Sequence, residues 1–501
     1  MSADRRRFLR ATAGAVATLG PLGFLESLPR ISAQDVQVDP KVVCLSGELE
    51  PLVQLLEKTP KAKIVETFAE RIRSGTTYKE VLAALLLAGV RNVQPRPSVG
   101  FKFHAVLVVN ATHLASMEAK GQDRWLPLFW GLDNFKDSQA RDVSEGNWTM
   151  SPVDESSVPT GSTARKDLLS AIESWDESAA DAACAGLVRH AKPTDVFEFF
   201  ARYGGRDFRS IGHKIIFVAN SWRTLQTIGW EHAEPVLRSL TYSMLNHVGD
   251  PNPSKSDLAA DRPWRENQKR AVGLRKDWRA GTADDGATRE LLESLREQDD
   301  SSVADLVASQ LNRGVAVQSI QDGLFAGAAE LLMRQPAIVS MHALTTTNAM
   351  QYCYRTTNDD LTRRLLLLQN AAFLTLFRDA MKSRGDVGEH RIDKLTRAEK
   401  PGTVDELFDT LGRDKDAAAS QALSILTATN DPQPIFAKAR ELIFLKGRDS
   451  HDYKFSSAIL EDFQHVSPKW RHQYMAACLF KLRSSGEPDS PLVQKTRDAF
   501  A

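Results

Sequence analysis

Apolar residues in this 501-residue chain recur at spacings of three and four, as in Ile64, Phe68 and Ile72, then Val81, Leu82, Leu85 and Leu86. Side chains spaced this way share one face of a helix. No convincing run alternates apolar and polar residues between turn signals, as a half-buried strand would, so the predicted fold class is all-α. Helix-end signals agree. Thr77 followed by Glu80 reads as a capping box opening the helix that carries Leu82 and Leu85, and Gly75 stops the helix before it. Two stretches break the pattern: 143–163 is polar with Pro, Ser and Gly, and 249–302 is charged and rich in Asp, Arg and Pro. Both read as surface connections with short helices.

The helical body repeats itself, giving a helical repeat architecture of four histidine-headed units. Each has an amphipathic helix, a second helix, a connection, and a helix that opens with histidine. The second helices are expected over 78–91, 195–203, 320–333 and 435–444. The histidines are His104, His213, His342 and His451, followed six or seven residues later by Asn110, Asn220, Asn348 and Ser457. His104 to His342 and His213 to His451 are both 238 residues apart, which implies a tandem duplication of a two-unit half. Gly205-Arg206-Asp207 recurs as Gly447-Arg448-Asp449 at an offset of 242, so an indel of four lies between. The expected organisation is a signal peptide over 1–33, a first helical half over 34–248, a charged connection over 249–302 and a second half over 303–501.

One histidine from each of four related helices can converge on the pseudo-symmetry axis, and bundle metal sites are commonly built from such inward side chains. Imidazole suits iron, zinc, copper or nickel, and four of them leave room for oxygen or substrate. The plainer alternative is that each histidine merely begins a helix and satisfies a nearby carbonyl. Lys454, three residues past His451, lies on the same helix face and can reach the same site; otherwise it is a solvated lysine. His113 lies nine residues past His104 and faces the opposite side, and Lys214 points away from its neighbour His213. Asn110, Asn220 and Asn348 are too far down their helices to orient their own histidines, and are expected to bond across to another helix. Trp125, Phe129, Trp130, Phe197, Trp222 and their aromatic neighbours can line an apolar pocket, although core packing is the simpler reading.

Other chemistries find little support. Cys44, Cys184, Cys353 and Cys478 are widely spaced with no Cys-x-x-Cys, so neither a zinc ribbon nor a Rieske-type cluster can be built from this chain. No nucleophile elbow, phosphate loop or dinucleotide fingerprint occurs. Basic and acidic residues number 64 each, which gives no basic excess for nucleic acid.

The N-terminus reads as an address. Arg5, Arg6, Arg7, Phe8, Leu9 and Arg10 form a twin-arginine pattern before a modest apolar stretch over 11–25, too short for a comfortable membrane span. Cleavage after Ala33 removes five basic and two acidic side chains, leaving a net charge of −3 and no stable membrane span. The expected location is the periplasm or another exported compartment, reached through the twin-arginine translocase. That route carries folded proteins, often with a cofactor already inserted.

The histidine-headed helices, above all His342-Ala343-Leu344-Thr345-Thr346-Thr347-Asn348-Ala349 with the apolar run 365–377 after it, resemble the questin oxidase-like family of helical oxygenases. The resemblance spans about 78–465. It implies ring-opening oxidation of polycyclic aromatic polyketides by dioxygen, with a non-haem iron held by histidines and a carboxylated lysine. Carried over by position, it makes His104, His213, His342 and His451 the iron ligands and Lys454 the lysine. The expectation is an exported non-haem iron oxidoreductase acting on a small aromatic or polyphenolic molecule. The alternatives are an exported helical-repeat scaffold that binds protein partners without catalysis, and a zinc or copper protein with a closed coordination shell.

Overall fold

The computed structural model describes residues 39–95, 101–119, 121–245 and 251–500. The twin-arginine segment and its cleavage point lie outside the described residues. Among those described, the fold is all-α, and the one β pairing is an isolated bridge between Thr282 and Val315. No described helix is long and apolar enough to cross a membrane.

Local signals set the helix ends. Thr77 Oγ1 accepts the Glu80 amide at 3.2 Å and Glu80 accepts the Thr77 amide at 2.7 Å, closing the capping box that opens Tyr78–Asn92. Gly75 sits at φ 111°, past the end of Ile64–Arg73.

Four helices carry the histidines. The first is His104–Leu107, which continues past Val108 as Val109–Glu118; the others are His213–Ile228, Ile338–Thr356 and Ser450–Asp462. Each packs against the next and the fourth packs against the first, so they enclose an axis. Tyr78–Asn92, Pro193–Gly204, Val317–Arg334 and Gln433–Lys446 each back the histidine helix that follows them. The opening histidine holds for the first two helices only. His342 is the fifth residue of its helix and His451 the second of its own. In the third unit Pro336 ends the preceding helix, and the chain resumes helical geometry at Ile338, a turn ahead of the histidine.

The charged segment 249–302 is more than a surface link. It contributes Arg262–Gly273, packed on Asp360–Met381, and Asp285–Glu297, packed on Val317–Arg334. Most of its charges lie on outer faces, with Arg296 buried against Glu330, while Trp264, Trp278, Leu291 and Leu292 are buried. A continuous apolar core runs from Val43 to Val493.

Candidate metal centre

The four histidines meet on the axis. Ring centroids around the circle are separated by 5.0 Å from His104 to His213, 4.4 Å to His342, 5.2 Å to His451 and 4.5 Å back to His104. The His104–His342 diagonal is 6.2 Å. His104, His342 and His451 each offer a nitrogen within 4.8 Å of the others, so these three can hold a metal ion. His213 Nε2 lies 3.2 Å from His104 Nε2 and 2.9 Å from His342 Nε2.

The outer nitrogens explain which way the inner ones face. His213 Nδ1 donates to the Ser210 carbonyl at 2.7 Å, and His342 Nδ1 donates to the Ile338 carbonyl at 2.6 Å. A neutral imidazole has one N–H, so both Nε2 atoms then carry lone pairs and face each other at 2.9 Å. Two acceptors at that distance repel unless a cation or proton lies between them. With nitrogens about 2.1 Å from a metal, ligands at right angles are about 3.0 Å apart and tetrahedral ligands about 3.4 Å apart. The observed separations of 2.9 and 3.2 Å match such edges. On the fourth helix Asp449 caps the N-terminus and comes within 3.4 Å of His451 Nδ1. Carboxylate and carbonyl partners of this kind fix tautomer and ring orientation in histidine metal sites.

Backbone strain collects at the same place. Ile211 and Gly212, just before His213, have φ of 43° and 80°. A β-branched residue is costly there, and a Cβ on Gly212 would collide with Thr346 of the third histidine helix. This tight turn lets the second histidine helix start against the third.

The electrostatics disfavour a proton as the bridge. Burial first, then Lys454 and the other imidazoles, holds His104 far below its ordinary value; burial, His213 and Lys454 do the same to His342. Burial and Lys454 bring His213 down to about 3, against the Ser210 carbonyl. Burial also lowers His451, with Asp449 opposing. These rings are neutral lone-pair donors at neutral pH. The metal-free protein should therefore lose stability as pH falls from 6.5 towards 3. In that window the unfolded imidazoles take up protons that the folded ones refuse, at about 1.4 kcal/mol per pH unit for each histidine. Urea midpoints at pH 7, 6 and 5 in chelator check this; a flat profile would mean that the folded rings take up protons as readily as the unfolded ones.

Lys454 is buried, its Nζ has no hydrogen-bond partner among the described residues, and burial pushes its ammonium down to about 7. It lines a small, partly open cavity of about 20 Å³, room for about one water, on the inner faces of the four histidine helices. His113 faces away, as expected, and meets the Tyr78 hydroxyl at 3.1 Å. Lys214 pairs with Asp207 at 2.8 Å. Asn220 donates across to the Leu107 carbonyl, and Asn348 to Glu461 and Asp462. The aromatic residues pack with one another, for example Phe197 on Trp222 at 4.6 Å, and none lines this pocket. Sequence reasoning missed Arg223 and Glu461, which join across the axis at 2.5 Å. The missed signal was their separation of 238, the offset of the histidine pairs.

Fold and site together define an all-α protein with a buried histidine centre able to hold a metal. Compared with family models, curated proteins and solved structures, the chain matches none.

Proposed function

We propose that the chain is an exported, metal-dependent oxidoreductase of oxygenase type. A non-haem iron lies between His104, His213, His342 and His451, and Lys454 adds an oxygen ligand as its carbamate. The substrates are dioxygen and a small aromatic or polyphenolic molecule. The observation that carries the metal is the His213–His342 pair, two lone-pair nitrogens 2.9 Å apart with both Nδ1 atoms already engaged. Iron, dioxygen and the aromatic substrate come from the likeness to the questin oxidase-like family; export comes from the twin-arginine pattern. The four histidine helices are read as a duplicated two-unit half.

Iron held by imidazoles supplies Lewis acidity and one-electron chemistry with dioxygen. Lys454 answers a charge problem. Four neutral imidazoles leave a metal dication uncompensated, and a lysine ammonium nearby adds to the excess. The uncharged amine, favoured by burial, can bond carbon dioxide through nitrogen and release a proton, which places a negative oxygen ligand there instead. The scaffold reading gives the histidines no reason to meet. A closed zinc or copper site gives no reason for the buried Lys454 beside them, whose Nζ has no hydrogen-bond partner among the described residues.

Metal analysis by mass spectrometry on protein exported natively, beside oxygen uptake with a panel of phenols, tests the reading. One iron per chain with phenol-dependent oxygen uptake supports it, and absence of stoichiometric metal sinks it. Edman sequencing of the same material should begin at Gln34. For the lysine, metal content should fall in carbonate-free buffer and recover with bicarbonate. Lys454→Met should start low and ignore bicarbonate; a bicarbonate response in that variant would remove Lys454 from the ligand set.

A further inference from the structure

A polar layer ties the four histidine helices together well below the histidines. Residues six to ten positions past a histidine lie about 9 to 15 Å further along its helix. Asn220 and Arg223 stand at such positions on the second helix, Asn348 and Tyr352 on the third, and Glu461 on the fourth. The first helix joins through its backbone. It is interrupted at Val108, and the Leu107 carbonyl there takes the Asn220 side-chain amide at 3.0 Å.

Arg223 is the hub. Its guanidinium donates to Glu461 at 2.5 Å, to Asn220 Oδ1 at 3.2 Å and to Asn348 Oδ1 at 3.2 Å, and its centre lies 3.9 Å from that of the Tyr352 ring. Both amides are oriented by it. With its oxygen on Arg223, Asn220 turns Nδ2 to Leu107, and Asn348 turns Nδ2 to Glu461 at 2.9 Å and Asp462 at 2.8 Å. Turning either amide over would set N–H against the guanidinium, so the layer closes in one arrangement. The second and fourth helices stand opposite each other in the ring, and the Arg223–Glu461 bond spans it.

Such a layer adds little to stability. Replacing a buried ion pair by apolar side chains of similar size is often neutral or stabilising, and the best-attested use of buried polar groups is to fix register. Register is what the histidines need. A slip of one residue moves a histidine about 1.5 Å along its helix and about 100° around it, while a metal site holds its ligands to within about 0.5 Å. Apolar packing is non-directional and tolerates small slides; hydrogen bonds of set distance and angle do not. We propose that this layer is the register lock of the histidine centre and that Arg223 is its positioning residue, setting the relative heights of the four histidines through Asn220, Asn348 and Glu461. The inference rests on the proposed function only in taking those histidines to hold a metal.

The test compares full-length wild type with three variants. Arg223→Met with Glu461→Met removes both charges together, Arg223→Met alone strands the carboxylate, and Arg238→Met with Asp181→Leu removes a buried ion pair outside the ring. Iron affinity should fall about tenfold or more in the first, the scale known for groups that orient metal ligands, and stay at the wild-type value in the control pair. Urea midpoints of the metal-free proteins should match wild type in the Arg223–Glu461 double variant, where the cavity beside Asn220 and Asn348 admits a water for their oxygens, and fall in Arg223→Met. Imidazole nitrogen spectra of metal-free protein with isotope-labelled histidine give a readout that stability does not move. Wild type should show one set of signals from the four rings, with Nδ1–H on His213 and His342, and the double variant several sets. Wild-type affinity in the double variant, a single set of imidazole signals, or a loss of stability as large as in Arg223→Met would overturn the proposal, as would an equal loss of affinity in the control pair. If wild type takes up no metal the iron reading falls, and the imidazole signals still decide the register.

Discussion

Replacing His213 and His342 together by alanine is expected to abolish stoichiometric metal binding while leaving the helical spectrum intact, and to make the metal-free protein no less stable than metal-free wild type. The second half of that result separates a metal centre from a packed core. Truncating large buried side chains ordinarily costs about 2–5 kcal/mol each, through lost contacts and the cavity left behind. Here the metal-free wild type carries an opposing cost. Two buried lone pairs face each other at 2.9 Å, and their neighbours and Lys454 deny them a proton. Removing both rings removes that repulsion, which offsets the cavity. The metal-loaded wild type should stand well above both, because a ligand at a thousand times its dissociation constant adds about 4 kcal/mol. Partners of metal-bound histidines alone are worth roughly 10–100-fold in affinity, so loss of two direct nitrogens should leave no metal after dialysis. Calorimetry with and without iron, beside metal analysis, reads all of this. A double variant that unfolds several kcal/mol earlier than metal-free wild type would make the histidines core residues.

The sequence made the fold class legible because helical periodicity is local: Val81, Leu82, Leu85 and Leu86 show their shared face without knowledge of any other part of the chain. The meeting of the histidines was legible for a different reason. The distance of 238 occurs twice among them, and four helices packed in a ring present these residues to a common axis. What stayed hidden depends on the partner surface. The segment 249–302 looks like a linker because its charges dominate its composition, yet Trp264 and Trp278 are buried once Asp360–Met381 is in place. Arg223 and Glu461 look like ordinary surface charges on separate helices, and only the register of 238 marks them as facing positions. Lys454 was found from its spacing to His451, but its burial depends on three other helices closing around it.

The largest loss of stability should come from Asp207→Ala. This carboxylate takes the Lys214 ammonium at 2.8 Å on both oxygens and the Arg209 amide at 3.2 Å, with Arg206 Nε 3.8 Å away. Arg206 and Arg209 lie 5.5 Å, and Lys214 5.8 Å, from the centre of the Trp175 ring, and Arg206 and Lys214 are buried. Removing the anion strands a buried ammonium among cations, a loss that typically costs about 3–5 kcal/mol. Replacing both members of such a pair is often close to neutral, so Asp207→Ala with Lys214→Met should recover most of the stability. Lys214 directly follows His213, and the Ser210 carbonyl that orients His213 belongs to the same turn. The single variant should consequently bind metal weakly even where it remains folded, and the double variant should regain both properties. The aspartate of the recurring Gly-Arg-Asp, Asp449, reaches His451 itself. Asp449→Ala should thus weaken metal binding and cost the metal-free chain only its helix cap, about 1 kcal/mol, well short of the loss in Asp207→Ala. Denaturant melts beside metal titrations of the three variants decide it: if Asp207→Ala and Asp449→Ala lose stability equally, the two copies of Gly-Arg-Asp serve folding alone. Different losses in stability with a shared loss in metal affinity would mean that Gly-Arg-Asp holds two histidines in place, at 205–207 by anchoring the turn and at 447–449 by touching the ring.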